Sequence, residues 1–289
     1  MPEYEQGLVS VIVPTFNNER TVEKCLQSIA DQSYPNVETI VVDRFSRDKT
    51  VEIARKFDSV VHLYGVKTEG EAIYGAPYQR NYGVSKAKGE FVYYVDVDMQ
   101  LTKDVIAASL SAIKTFNADA VIVPEISFGT GFWSACKSLE RRCYLGDDLI
   151  EAPRFFKKRV WKELGGQDPT IGGDDWDLYL RFKHQGFKAV RVPNAVFHDE
   201  GKLSLKRLAL KRYMYGKHIY NYLQRHESFG YRQFSPLRAS YIKNRQLFAR
   251  DPSHAIGVAV MRTVEYTAGA AGIVIGKIMP SNPTPLEHN

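Results

Sequence analysis

The sequence predicts an α/β fold, with a mostly parallel sheet flanked by helices and followed by a basic, amphipathic helical extension. Three observations support this. The first 200 residues alternate short β-branched runs with amphipathic stretches, the pattern of βαβ units. Carboxylates gather where those runs end: Asp43 closes one, and Asp96 and Asp98 close another. After His198 the texture changes to Leu and Tyr mixed with Lys and Arg. The expected division is a main α/β domain over 1–200 and a helical, basic region over 201–289.

The elements follow in order. Residues 8–14 (LVSVIVP) form a β-branched run closed by proline, a buried strand. Val22, Leu26, Ile29 and Ala30 recur at helical spacing within 19–31, with Asn17 or Asn18 as cap. Residues 37–43 read as a second strand, 49–57 as a short helix and 59–64 as a third strand. A helix over 77–88 precedes a buried strand at 90–98. Thr102 is the expected cap of a helix reaching Phe116, and 119–124 is a further strand. Residues 125–170 give no clear pattern and are the expected place of an acceptor loop. A Gly-Gly pair introduces a helix over Asp174–Gln185, and 187–193 reads as a late strand. Residues 203–226 suggest an amphipathic helix pair.

Residues 255–279 are small and apolar, but Arg262, Glu265 and Lys277 interrupt them. A spanning helix needs about 20 largely uncharged residues. The uncharged run Tyr266–Gly276 has eleven. The segment therefore reads as a helix lying in a membrane interface, or as one docked on the domain or in a dimer interface.

At 289 residues, 44% hydrophobic and 25% charged, the composition suits a globular protein with a sizeable core. Cys25, Cys136 and Cys143 are too few, and wrongly spaced, for a disulfide framework or a thiolate metal site. They suggest core thiols in a reducing compartment. The first residues lack the basic and apolar regions of a secretory signal, so a cytoplasmic location is expected. Residues 201–250 carry twelve Lys or Arg against one acid, Glu227, in a chain of net charge +6. A basic tail on a mildly acidic body suits a polyanionic surface. No nucleic-acid motif accompanies it, so an anionic membrane is the favoured partner and nucleic acid the rival. The rival class as a whole is a basic binding protein without catalysis.

Three acids at the carboxyl ends of strands need a counter-charge, and ligands of open α/β sheets bind at that rim. On an extended backbone, Asp-Val-Asp would point both carboxylates the same way, a fit for Mg²⁺ or Mn²⁺ holding a diphosphate. The surrounding blocks make the pattern specific. VSVIVPTFNNERTVEKCLQSIADQSYPNVETIVVDRFSRDKT, QRNYGVSKAKGEFVYYVDVDMQLTKD and GGDDWDLYLRFKHQGFKAVRVPNAVFHDE follow one another over about 190 residues. In order and content they resemble the family 2 glycosyltransferases, which have the Rossmann-like GT-A fold.

The resemblance implies an inverting, metal-dependent enzyme that takes a nucleotide diphosphate sugar, with UDP favoured. Pro14, Thr15 and Asp43 match positions that hold base and ribose. Arg80 matches an arginine directed at uracil or phosphate. Asp96 and Asp98 match the metal-binding pair, with Asp98 the direct ligand and Asp96 also on the nucleotide side. Asp174 and Asp175 match a Glu-Asp pair, and Asp175 is the implied general base. His198 matches a frequent histidine, whose roles are third metal ligand, diphosphate contact or structural. Trp176 either stacks on an acceptor sugar or belongs to the core. The chain departs from the pattern at Arg44, where a second acid is common, and at Asp174, where Glu is usual. The expected acceptor is a hydroxyl of a lipid-linked or nascent surface glycan, with a polyprenyl-phosphate sugar synthase as the alternative. The enzyme would then sit at the inner face of the cell membrane, peripheral or monotopic, alone or as a homo-oligomer.

Overall fold

The computed structural model describes residues 4–65, 75–226, 232–236 and 238–278. Its main sheet has seven strands in the order β3-β2-β1-β4-β8-β6-β9. They are β1 (Glu5–Thr15), β2 (Val37–Asp43), β3 (Val60–Leu63), β4 (Gly89–Tyr94), β6 (Ala120–Ile122), β8 (Phe155–Lys157) and β9 (Ala189–Arg191). All neighbouring pairs are parallel except those made by β8, which runs antiparallel to β4 and to β6. The expected mostly parallel α/β sheet is what forms.

β1 lies centrally, and its alternating side chains feed two cores. Val9, Val11 and Val13 join Leu26 and Ile29 of α1 (Val22–Ala30) on one face. Ile12 joins Val84 of α3 (Gly75–Lys86) and Phe182 of α7 (Asp174–His184) on the other. Burial on both faces explains the continuous apolar run. Short α2 (Thr50–Ala54) and α4 (Val105–Phe116) complete this half.

Several expectations change. β4 ends at Tyr94, so Asp96 and Asp98 sit on a turn closed by the Met99 N–H on the Asp96 carbonyl at 2.9 Å. The same-side argument for an extended Asp-Val-Asp therefore fails. Thr102 does not cap α4: Asp104 holds that position, and the Thr102 hydroxyl donates to the Ala195 carbonyl instead. The unreadable stretch holds β7 (Glu125–Thr130), α5 (Phe132–Cys143), β8 and α6 (Lys158–Glu163). The expected helix pair is one helix, α8 (Leu205–Arg225), with Ser204 as its N-cap. All three cysteines are free and buried.

A second sheet, β5-β10-β7, stands beside the rim, with β5 at Met99–Leu101 and β10 at Val196–Lys202. His198 lies inside β10, opposite Met99 of β5 and Ser127 of β7, rather than after a strand.

Short α9 (Ala239–Lys243) and α10 (Arg245–Arg250) lead to α11, the 27-residue helix Pro252–Ile278. Met279, the end of the predicted apolar segment, lies outside the described residues. By length and composition α11 is able to cross a membrane. Its interrupting charges are nevertheless committed to protein. Glu265 meets Lys137 of α5 at 3.4 Å, Arg212 of α8 at 3.1 Å and Arg262 at 2.7 Å. Lys137 also pairs with buried Glu140 at 2.8 Å. α8 and α11 approach backbone to backbone: a Cβ on Gly272 would run into the Tyr213 carbonyl, and one on Gly216 into the Gly269 carbonyl.

Gly272→Val should therefore loosen α11, lowering stability by about 1–3 kcal/mol. Val274→Ala, at an exposed position, should change it by less than about 0.5 kcal/mol. Urea unfolding of both variants checks this, with hydrogen exchange in α11 reporting where the loss occurs.

Candidate active site

A cavity of about 910 Å³ opens beyond the carboxyl ends of β1 and β4, walled by Asp96, Asp98, Asp174, Asp175, Arg80 and His198 among others. α8 and α11 form its far wall, so both sides of residue 200 contribute.

Three consecutive residues of α3 organise the site. Gln79 bridges the ends of β1 and β2, donating to the Thr15 carbonyl at 2.9 Å and the Val42 carbonyl at 2.6 Å. Asn81 clamps the backbone of Gln167, donating to its carbonyl and accepting from its N–H. Arg80 lies between them, almost fully buried. Its Nη2 meets Asp96 Oδ1 at 2.5 Å, and its Nη1 meets Asp174 Oδ2 at 3.0 Å and Asp175 Oδ1 at 3.2 Å.

Arg154, just before β8, is a second hub. It pairs with Asp96 Oδ2 at 2.9 Å and Glu125 Oε1 at 2.7 Å, and lies 3.8 Å from Asp175 Oδ2. Both guanidiniums pack over the Tyr94 ring. Burial alone would raise the Asp96 pKa, but Arg80 and Arg154 overcome it and hold the carboxyl well below the usual range. Both Asp96 oxygens are thus engaged by the protein.

Asp174 and Asp175 occupy the first turn of α7, after Gly173 in the left-handed region at φ 92°. Unpaired N–H groups there favour negative charge. Asp175 Oδ1 receives the Gln167 amide at 2.5 Å and lies 3.0 Å from the Tyr94 hydroxyl as well as near Arg80. Its Oδ2 is the less occupied oxygen. Asp174 behaves differently: burial first, and then the neighbouring Asp175, push its pKa up to about 7.

His198 Nε2 stands 3.3 Å from Asp98 Oδ2, and Nδ1 stands 3.4 Å from Glu125 Oε2. Burial opposes its charge, but these two carboxylates raise its pKa to about 10. Asp98 Oδ1 is buried and accepts no hydrogen bond. That orphaned oxygen, next to an imidazole, is the feature of this site that suits a hard divalent cation. Among the described residues no three His, Cys, Asp or Glu side chains converge into a metal cage. Asp98 and His198 fit such an ion only if ligand oxygens complete its shell, and Asp96 fits poorly because its oxygens are taken.

Trp176 lines the cavity with its N–H donated to the Ile150 carbonyl at 3.0 Å. Pro14, Thr15 and Asp43 stand at neighbouring strand ends, outside that wall. Asp43 is fully buried, accepting from Thr15 Oγ1 at 2.7 Å, Ser46 N at 2.7 Å and Ser46 Oγ at 2.6 Å. Sequence reasoning missed Glu125, Arg154, Gln167 and Tyr94. The Tyr-Tyr pair ending β4 was the one local hint.

Residues 10–174 match the family described as Glycosyl transferase family 2. Over 117 residues, 39% of this chain, the sequence is 33% identical to the poly(ribitol-phosphate) beta-N-acetylglucosaminyltransferase TarS of Staphylococcus aureus. That match spans 20% of TarS. The structure of TarS 1–349 in complex with UDP superposes with TM-score 0.51 at 16% identity, covering 94% of this chain and 91% of that one. The mannosyltransferase PcManGT from Pyrobaculum calidifontis, in complex with GDP-Man and Mn²⁺, superposes with TM-score 0.57 at 19% identity, covering 95% and 76%. Both likenesses are of fold.

Folded Asp174 keeps its proton up to about pH 7, whereas an unfolded Asp loses it near pH 4. Wild-type stability should therefore fall across that window relative to Asp174→Asn, by an amount on the order of 3 kcal/mol. Denaturation midpoints of the two proteins from pH 4 to 8 check this, and parallel curves would refute it.

Proposed function

Since the chain belongs to glycosyl transferase family 2, we propose that it moves a sugar from a nucleotide diphosphate sugar to an acceptor hydroxyl, inverting the anomeric carbon. The observation that carries this reading is the gathering of Asp96, Asp174 and Asp175 around Arg80, with Asp98 and His198 on the wall of the same cavity at the sheet rim. A neighbour of the same fold holding GDP-Man and Mn²⁺, and another holding UDP, support a nucleotide-sugar donor and a divalent ion.

Pro14, Thr15 and Asp43 would present the β1 and β2 ends to base and ribose. In this reading Asp43 keeps the turn at Ser46 in shape. Asp98 and His198 would hold Mg²⁺ or Mn²⁺. Such an ion, when bound, neutralises the charge growing on the departing nucleoside diphosphate. Asp96 and Arg80 fix the frame around it. His198 would hold the ion through a neutral ring nitrogen, with Glu125 beside the other nitrogen.

Asp175 Oδ2 is the proton acceptor in this scheme, because Oδ1 already faces three donors. Attack by the acceptor oxygen on the anomeric carbon forms the new glycosidic bond as the bond to diphosphate breaks, and the hydroxyl proton passes to Asp175. Asp174 tunes this pair: while it carries its own proton, the site avoids a second adjacent negative charge.

We take UDP as the favoured donor base and a lipid-linked or nascent surface glycan as acceptor. Residues 1–200 would be the catalytic domain. Residues 201–289 would hold it on an anionic inner membrane surface, where each nearby basic residue adds about 1 kcal/mol.

A thermal-shift panel of UDP, GDP and dTDP with Mn²⁺ should show stabilisation that disappears with EDTA; no shift from any of the three rejects the donor assignment. Asp98→Ala should lose the metal-dependent part of that shift while keeping its fold. Asp175→Asn should keep the shift and lower transfer into a membrane lipid extract by about 10²–10⁴-fold. Undiminished transfer removes Asp175 from the role of base.

A further inference from the structure

The cavity changes character along one helix face. Arg207, Lys211, Tyr215, Ile219 and Leu223 of α8 all line it, each four residues after the last. Its wall thus passes from cations through a phenol to hydrocarbon. At the hydrocarbon end, Ile219 and Leu223 meet Trp176, Phe234 and Ile273 of α11, and these five belong to one apolar cluster.

Three polar groups near this end are already used internally. The Trp176 N–H donates to Ile150, the Tyr266 hydroxyl to the Ser235 carbonyl at 2.9 Å, and the Gln233 amide to the Leu149 carbonyl at 2.8 Å. A sugar placed here would bury hydroxyls without partners, costing each of them its hydrogen bonds with water. An aliphatic chain suffers no such loss and covers side chains that are now only partly buried.

The α11 side of the cavity also leads outward to an uncharged surface, level with residues 212–216 of α8. Ala270 lines the cavity and is exposed. The exposed positions of α11 from Ile256 to Val274 are Ile256, Ala259, Val260, Thr263, Thr267, Ala270, Ala271 and Val274, none of them charged. Exposed Lys206, Arg207 and Lys211 stand on neighbouring α8. An uncharged face flanked by cations is complementary to an anionic bilayer, the source of such a chain.

We propose that this end of the cavity receives the hydrocarbon chain of a lipid-linked acceptor, drawn in beside α11, with its head group presented to Asp175. The step from chain to chemistry is short: Trp176 touches the apolar end, and the preceding residue is the proposed base. The proposal rests on the glycosyltransferase reading for its head-group chemistry.

Dodecyl phosphate brominated at its terminal carbon tests it, because bromine quenches nearby tryptophan. Below its micelle concentration it should quench Trp176 saturably and bind at least roughly a hundredfold tighter than butyl phosphate. Trp176→Phe should remove the saturable component. Leu223→Asp and Ile273→Asp, both at partly buried positions, should each weaken binding by at least about tenfold, while the UDP–Mn²⁺ thermal shift stays as in wild type. Val274→Asp, on the outer face, should leave the quenching intact. Equal binding of the two chain lengths, or quenching that survives Leu223→Asp and Ile273→Asp but is lost in Val274→Asp, overturns the proposal. Normal chain binding without any nucleotide shift would instead sink the transferase reading and leave the apolar site standing.

Discussion

The site depends on one buried cation, the guanidinium of Arg80. Three carboxylates from two distant stretches, Asp96 after β4 and Asp174 and Asp175 at the start of α7, lie within 2.5–3.2 Å of it. Desolvating several like charges together is prohibitive unless counter-charges and hydrogen bonds satisfy them. Arg80 meets that need from a helix rather than a loop, and its neighbours Gln79 and Asn81 fix the same helix to the β1/β2 ends and to Gln167. Removing the cation would leave carboxylates facing each other, so the frame and the charge balance are one device.

That balance also separates the roles of similar side chains. Asp96 is saturated by Arg80 and Arg154, and so acts as a structural anion. Asp98 keeps a buried oxygen without a donor, and His198 stands beside its other oxygen. The string Asp-Val-Asp by itself treats the two alike, and the resemblance assigns both to the metal. Distance to two arginines, one of them 58 positions away in sequence, distinguishes them.

Much of this frame was legible because its signals are local. Val37–Asp43 has the bounds that its β-branched run implied, and Gly172–Gly173 followed by two acids marked the start of α7. What stayed hidden depends on remote partners. α5 turns Lys137 and Glu140 inward, against the amphipathic rule, because Glu265 and Arg262 arrive from α11 to pair with them. β10 carries the polar string VFHDEGK, which reads as a loop until β5 and β7 flank it. Arg154 and Gln167 sit in segments without periodicity, and tertiary contacts alone give them purpose.

The same remote pairing decides how α11 is understood. Its length and mean hydropathy place it among helices able to span a bilayer, although charges interrupt its apolar run. Burying Glu265 among Lys137, Arg212 and Arg262 makes one face protein-bound, while the glycine contacts with α8 leave no room for lipid between the two helices. An inserted α11 would have to break the ion cluster and expose the matching charges of α5 and α8, each a costly loss in a low-dielectric setting. The pairing thus commits one face of α11 to protein and turns its uncharged face outward. In that orientation α8 becomes the ruler of the cavity: its four-residue repeat carries the chemistry from cations at Arg207 and Lys211 to hydrocarbon at Ile219 and Leu223. A break in α8, such as the expected helix pair would have required, would uncouple the two ends. Continuity of that one helix is what lets a charged reaction and an apolar surface share a single cleft.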